Sequence, residues 1–121
     1  MEWDVDFDPE FAKEAKELPR AVQIEIVALS NLLRQFGPQL RRPHVDTLKG
    51  SRHTNMKELR FGLADGARRF AFAFDPTRKA ILLVGDSKSG VNERQFHRNL
   101  IRIADTRFGH HLSRLRQGEA G

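Results

Sequence analysis

From Met56 the pattern takes a period of two, with Leu59, Phe61, Leu63, Phe70, Phe72 and Phe74 as its large apolar side chains, and the run is cut once, by Asp65-Gly66. A period of two is the mark of a half-buried strand, and Asp-Gly supplies the positive φ that a two-residue hairpin turn needs. The segment is therefore expected to fold as a β-hairpin with one apolar face, and the rest of the chain has to cover that face. With Asp65 and Gly66 as the turn, Leu63 faces Arg68, Phe61 faces Phe70 and Leu59 faces Phe72. The other face then receives Glu58, Arg60, Gly62, Arg69, Ala71 and Ala73. In this register Arg60 and Arg69 are diagonal neighbours about 7 Å apart, on a face left open by its small residues.

The covering elements can be read on either side. Trp3, Val5 and Phe7 alternate with acids, which predicts a short first strand. Asp8-Pro9 combines an N-cap with a first-turn proline, so a helix is expected there with Phe11, Ala15 and Leu18 on one face, ended by Pro19. Val22, Ile26, Leu29, Leu33 and Phe36 then recur at steps of three and four, and Gly37-Pro38 stops this second helix. Residues 38–55 show no period and are read as a basic loop. Asp75-Pro76-Thr77-Arg78 is a further turn leading into the apolar strand 80–84. An unbroken strand puts Leu82, Val84, Asp86 and Lys88 on one face. Asn92 caps a final helix with Phe96, Leu100, Ile103, Phe108, Leu112 and Leu115 as its stripe and Gly109 as a weak point. This order predicts an α+β domain, with an N-terminal strand and helical hairpin packed on an antiparallel sheet and a helix at the C-terminal end. Residues 1–117 form one domain in this reading, and 118–121 a disordered tail.

Composition narrows the chemistry. The 121 residues carry a net charge of +5, unevenly spread: residues 1–19 hold seven acids against two lysines, and the remainder carries +10. A cationic body with an acidic end suits a protein that meets phosphates or an acidic partner. Cysteine is absent, which excludes disulfides, a thiol nucleophile and thiolate metal sites. There is no phosphate loop, no paired-glycine fingerprint, no His-Glu-x-x-His and no nucleophile elbow. His110 and His111 are adjacent, so on a helix they point about 100° apart and cannot share one metal. Neither metal nor cofactor is expected. No apolar run approaches the ~18 residues of a membrane span, and the start lacks a basic-then-apolar leader, so the expectation is a cytoplasmic protein without membrane contact.

Arginine is a planar, permanently charged fork matched to phosphate oxygens, so Arg60 and Arg69 are the sharpest candidates for binding an anion. The same spacing also fits a salt bridge to Glu58. Groups able to move a proton nearby are Glu58, Lys88, His53 and His97. Basic residues outside that pair are Arg41, Arg42, Lys49 and Arg52 in the loop and Arg68 on the hairpin.

The span from Asn55 to Leu112 resembles the phage-derived, HigB-like branch of the RelE/ParE toxins of toxin–antitoxin modules. The resemblance rests on Glu58-Leu59-Arg60, Arg69 followed by alternating Phe, Phe74-Asp75-Pro76 and Lys88. FDPEFAKEAKELP, at residues 7–19, is similar to the family's opening strand and helix. The resemblance implies a RelE-like fold and a small endoribonuclease that cleaves mRNA, typically on the ribosome, silenced by a cognate antitoxin, often a helix-turn-helix, HigA-like protein. Arg60 and Arg69 match the family's phosphate-contacting arginines and Lys88 its strand-end lysine. The catalytic set expected is then Arg60, Arg69, Lys88, Glu58, His53 and His97, and the RNA-binding set Arg41, Arg42, Lys49, Arg52 and Arg68. The chain departs from the pattern in having no Tyr, with Phe96-His97 where an aromatic pair ending in Tyr is frequent, and Arg102 where a proline is frequent. The alternatives are a non-enzymatic protein inhibitor, as in the gyrase-poisoning relatives, and a catalytically inactive module that binds RNA or a partner.

Overall fold

A computed structural model describes residues 3–64, 66–87 and 92–120. Strand β1 (Asp4–Phe7) leads into helix α1 (Pro9–Ala15) and helix α2 (Arg20–Phe36). Strands β2 (Val45–Thr47), β3 (Met56–Leu63), β4 (Gly66–Phe74) and β5 (Lys79–Ser87) precede the long helix α3 (Glu93–Ala120). The caps work as their residue types demand. Asp8 accepts hydrogen bonds from the backbone N–H of Glu10 and Phe11 at 2.9 and 3.1 Å, and Asn92 accepts from Gln95 at 2.7 Å. Gly37 ends α2 at φ 53°, and a side chain there would run into the Trp3 indole.

The five strands lie in the order β1-β5-β4-β3-β2, with β1 parallel to β5 and the other pairs antiparallel. One face carries Leu59, Phe70, Phe72, Phe74 and Leu82 against Phe11 of α1 and Val22, Ile26, Leu29 and Leu33 of α2. The other carries Met56, Ala71, Ala73, Ile81 and Leu83 against Phe96, Leu100, Ala104 and Phe108 of α3. Each fully buried large apolar side chain, Phe70 and Phe72 among them, contributes roughly 1.5–3 kcal/mol on leaving water. Ala71 and Ala73 thus make room for α3. The face that the sequence leaves open is covered by the final helix over much of its length, and only its Arg60–Gly62 end stays accessible.

Several local expectations change. The hairpin pairs Leu59 with Phe70, Arg60 with Arg69 and Leu63 with Gly66, two residues away from the register expected of an Asp65-Gly66 turn. Ala64 and Asp65 connect the strands, Asp65 lying outside the described residues. A slip of two keeps every side chain on its face, so the apolar pattern survives while the neighbours change. On β5, Phe72 pairs with Leu82 but Ala71 pairs with Val84, so Leu83 is an extra residue in a bulge. Leu82 and Val84 consequently point to opposite faces, and Asp86 comes to lie opposite Arg69. Within the expected basic loop, Val45–Thr47 pairs with β3 as an edge strand, because Val45 and Leu48 bury their side chains in the two cores. Helix α3 continues through Gly118 to Ala120, where the sequence predicts a tail.

Candidate functional site

The register makes Arg60 and Arg69 direct cross-strand partners, so their Cβ atoms sit roughly 4.5–5.5 Å apart. Glu58 lies one pleat back on the same face, opposite Ala71, whose methyl leaves space for Arg69 to lean over it. Arg69 donates from Nε to Glu58 Oε2 at 2.8 Å and one of its terminal nitrogens lies 2.6 Å from the same oxygen, while Glu58 Oε1 stands 3.7 Å from Arg60 Nε. One carboxylate is thereby held between two guanidiniums. The Glu58 side chain is 7% exposed and that of Arg69 16%, whereas Arg60 is 48% exposed. The salt bridge allowed by the sequence is formed, and it involves Arg69 most closely.

Helix α3 completes the setting of Arg69. A terminal nitrogen of its guanidinium meets His97 Nδ1 at 3.0 Å, Glu93 lies 3.7 Å away, and the Phe96 ring sits 5.6 Å beneath the guanidinium carbon. His97 Nε2 is 2.9 Å from the Lys49 carbonyl oxygen. A carbonyl only accepts, so this network assigns the proton to Nε2 and leaves Nδ1 to accept from Arg69. Both ring nitrogens are occupied. His97 therefore orients Arg69, linking it to the 48–55 loop.

Arg60 faces the other way, toward β2. Its backbone N–H donates to the His44 carbonyl at 2.8 Å, and its guanidinium lies 3.6 Å from Asp46. Asp46 also takes two hydrogen bonds from Arg42, at 3.0 and 2.6 Å. The Arg42 bonds, followed by that from the Thr47 N–H, hold its carboxyl below the ordinary range. These groups open onto a groove of about 770 Å3 at the hairpin end of the sheet. Arg42, His44, Arg60, Arg68 and Arg69 line it, with Ala28, Leu29 and Leu32 of α2 and Phe61 as its apolar wall. A Cβ built on Gly62 meets nothing within 4 Å, so the groove floor is open there.

The sequence candidates separate accordingly. Arg60, Arg69, Glu58 and His97 come together; His53 does not. Its ring packs edge-on against Phe108, with Nε2 buried and without a hydrogen-bond partner, beside the Asp75-Pro76 turn in a different groove. Lys88 lies outside the described residues. Arg41, Arg42, Lys49 and Arg52 are exposed, but Arg68 is only 5% exposed and is no part of an outer basic surface. Arg52 is tied down by Asp105, which accepts from its backbone N–H and from Ser51. The sequence reading missed Asp46 and Glu93 as counter-charges of the arginines. The signal for Asp46 was its standing as the lone acid in a basic stretch.

A mixed five-stranded sheet with a helical pair on one face and a C-terminal helix on the other is the RelE fold. E. coli toxin RelE, as an arginine-substituted mutant in the free state, matches with a TM-score of 0.58 over 84% of this chain and 95% of that one. Its sequence identity is 14%, so the likeness is one of fold. Residues 13–109 match the family described as Phage derived protein Gp49-like (DUF891), and the chain belongs to it. It is 43% identical over 91 residues to the putative toxin HigB2 of Mycobacterium tuberculosis (strain ATCC 25618 / H37Rv), covering 74% of this chain and 45% of that protein. It is 44% identical over 90 residues to the putative toxin HigB3 of the same strain, covering 74% of this chain and 76% of that one. The chain spans less than half the length of HigB2. It thus groups by sequence with the HigB proteins and shares the fold of RelE.

Proposed function

We propose that this protein is the toxin of a toxin–antitoxin module and acts as a metal-independent endoribonuclease on ribosome-associated mRNA. The observation that carries the reading is the cross-strand pair Arg60 and Arg69, with Glu58 between them, opening onto an arginine-lined groove. RNA can be cut by its own 2′-hydroxyl. That oxygen loses its proton and attacks the adjacent phosphorus, the bond to the 5′-oxygen breaks, and the leaving oxygen takes up a proton, giving a 2′,3′-cyclic phosphate and a 5′-hydroxyl. The half-exposed Arg60 meets the phosphate first and offsets charge on the phosphorane, with the braced Arg69 behind it. Glu58 and Lys88 are the candidates for moving the protons, while His97 keeps Arg69 in place.

The reading needs no metal, because the RNA's own 2′-hydroxyl is the nucleophile and the two guanidiniums supply the positive charge. No described helix is long and apolar enough to cross a membrane. The reading implies a cytoplasmic toxin held silent by a cognate antitoxin of the helix-turn-helix, HigA-like kind. The test is a cleavage assay on defined mRNA, alone and on ribosomes, with and without chelator. Cleavage that survives chelation and falls ~10²-fold or more in Arg60→Ala is the expected result. If Arg60→Ala relieves growth arrest while the parent protein cuts no RNA in either setting, the arginines engage a protein target, and the gyrase-inhibitor reading replaces this one.

A further inference from the structure

We propose that Arg94, Arg98 and Arg102 of α3 form a second RNA-docking tract, distinct from the Arg60–Arg69 groove, that grips the phosphate backbone of one RNA strand. The three recur at steps of four on the exposed side of the helix whose opposite side carries Phe96, Leu100 and Ala104 into the core. With a rise of ~1.5 Å per residue, the stripe places three positive charges over about 12 Å. A nucleic-acid strand carries one phosphate per ~3.4 Å of duplex axis, so a stripe of that length faces three to four phosphates.

These arginines have no counter-charge among the described residues, as Arg20 and Arg41 also have none, and what sets them apart is that three such cations share one exposed helix face at steps of four. Arg42, Arg60, Arg69, Arg107 and Arg114 each lie within 4.0 Å of a carboxylate. Arg94, Arg98 and Arg102 make no hydrogen bond or ion pair among the described residues. The two acids on this part of α3 are turned elsewhere, Glu93 toward Arg69 and Asp105 to Ser51 and Arg52. Like charges at steps of four destabilise a helix by a few tenths of a kcal/mol per pair, so the stripe costs stability in the free protein and gives nothing back there. Lys49, exposed on the loop that packs beside His97, lies at its flank and extends the positive surface toward the groove. Forked, permanently charged side chains at this spacing complement a polyanionic strand.

The inference rests on the RNA reading above, and its test reads binding alone, so the two fail separately. The probe is a fluorescein-labelled 2′-O-methyl RNA hairpin with single-stranded flanks, which has no free 2′-hydroxyl to attack. Anisotropy titrations across a salt series would compare the parent with Arg94→Gln/Arg98→Gln/Arg102→Gln and with a control of equal charge, Arg20→Gln/Arg34→Gln/Arg116→Gln. The slope of log K against log salt should become shallower by about 2 in the stripe variant, at ~0.7 for each strand phosphate that is no longer neutralised. Affinity at low salt should drop at least tenfold, while the control stays within about twofold of the parent. Equal losses in the two variants would reduce the effect to net charge and overturn the tract. A stripe variant that binds RNA like the parent would overturn it too, and would point the stripe toward an acidic protein partner. Circular dichroism checks folding, and Gln preserves helix propensity at each position.

Discussion

Replacing Arg69 by Ala should unfold the protein more readily as well as silence it. The sequence alone suggests otherwise, because an arginine on an open strand face can be trimmed at little cost. In the structure Arg69 is 16% exposed and bound at 2.6 and 2.8 Å to a Glu58 side chain that is 7% exposed. Removing one member of a buried pair strands the other and costs about 3–5 kcal/mol. Glu58 keeps a weaker contact to Arg60 at 3.7 Å, which places the expected loss at the lower end, about 3 kcal/mol. For a chain of this size that is a fall in melting temperature of roughly 10–15 °C. Combining Arg69→Ala with Glu58→Ala removes both charges and should return at least 1 kcal/mol relative to the single variant, a coupling of the size seen between touching residues (about 0.5–3 kcal/mol). Urea titrations of the parent, both singles and the double variant measure this cycle. An Arg69→Ala protein within about 0.5 kcal/mol of the parent, the ordinary range for a surface change, would refute the buried-pair argument. So would a double variant no more stable than Arg69→Ala. The outcome bears on function, since loss of toxicity in Arg69→Ala reports on the site only after correction for the folded fraction.

Arg60→Ala should show the converse, a loss of activity with less than about 1 kcal/mol of stability, because its pairs are half exposed; parallel urea and cleavage measurements check the split. Asp75 is buried, and burial, the largest single influence, pushes its carboxyl up, but hydrogen bonds from His111, Thr77 and Lys79 together bring it below the ordinary 3.8. Its contribution to stability is then present above that value and lost as pH falls through the lowered one, so below about pH 4 Asp75→Asn should flatten the acid limb of stability against pH. The same variant should be less stable than the parent at pH 7, as thermal melts at stepped pH would show. A methyl on Gly85 would enter the Phe70 ring and stand 2.7 Å from the Arg69 carbonyl oxygen, so Gly85→Ala should cost about 1–3 kcal/mol of overpacking by urea titration.

The features legible in the sequence are those decided between near neighbours along the chain. Asp8 and Asn92 cap their helices, Gly37 ends α2, and the period of two assigns each residue of β3 and β4 to its face, because each depends on a handful of adjacent residues. Arg60, Arg69 and Glu58 could be placed on one side for the same reason, and that assignment survived a register slip of two. Contacts closed over long stretches of chain were beyond this reach. The Leu83 bulge, which brings Asp86 opposite Arg69, is set by how β5 packs between β4 and two helices, and a single extra residue reverses parity without any local signature. The joining of Val45–Thr47 to the sheet and the covering of Ala71 and Ala73 by α3 are likewise settled by which apolar surfaces meet. That meeting also sorted the cations. It buried Arg69 between Glu58 and His97, carried His53 into another groove, and left Arg94, Arg98 and Arg102 facing water, because whether a charge finds a partner depends on what the fold sets beside it.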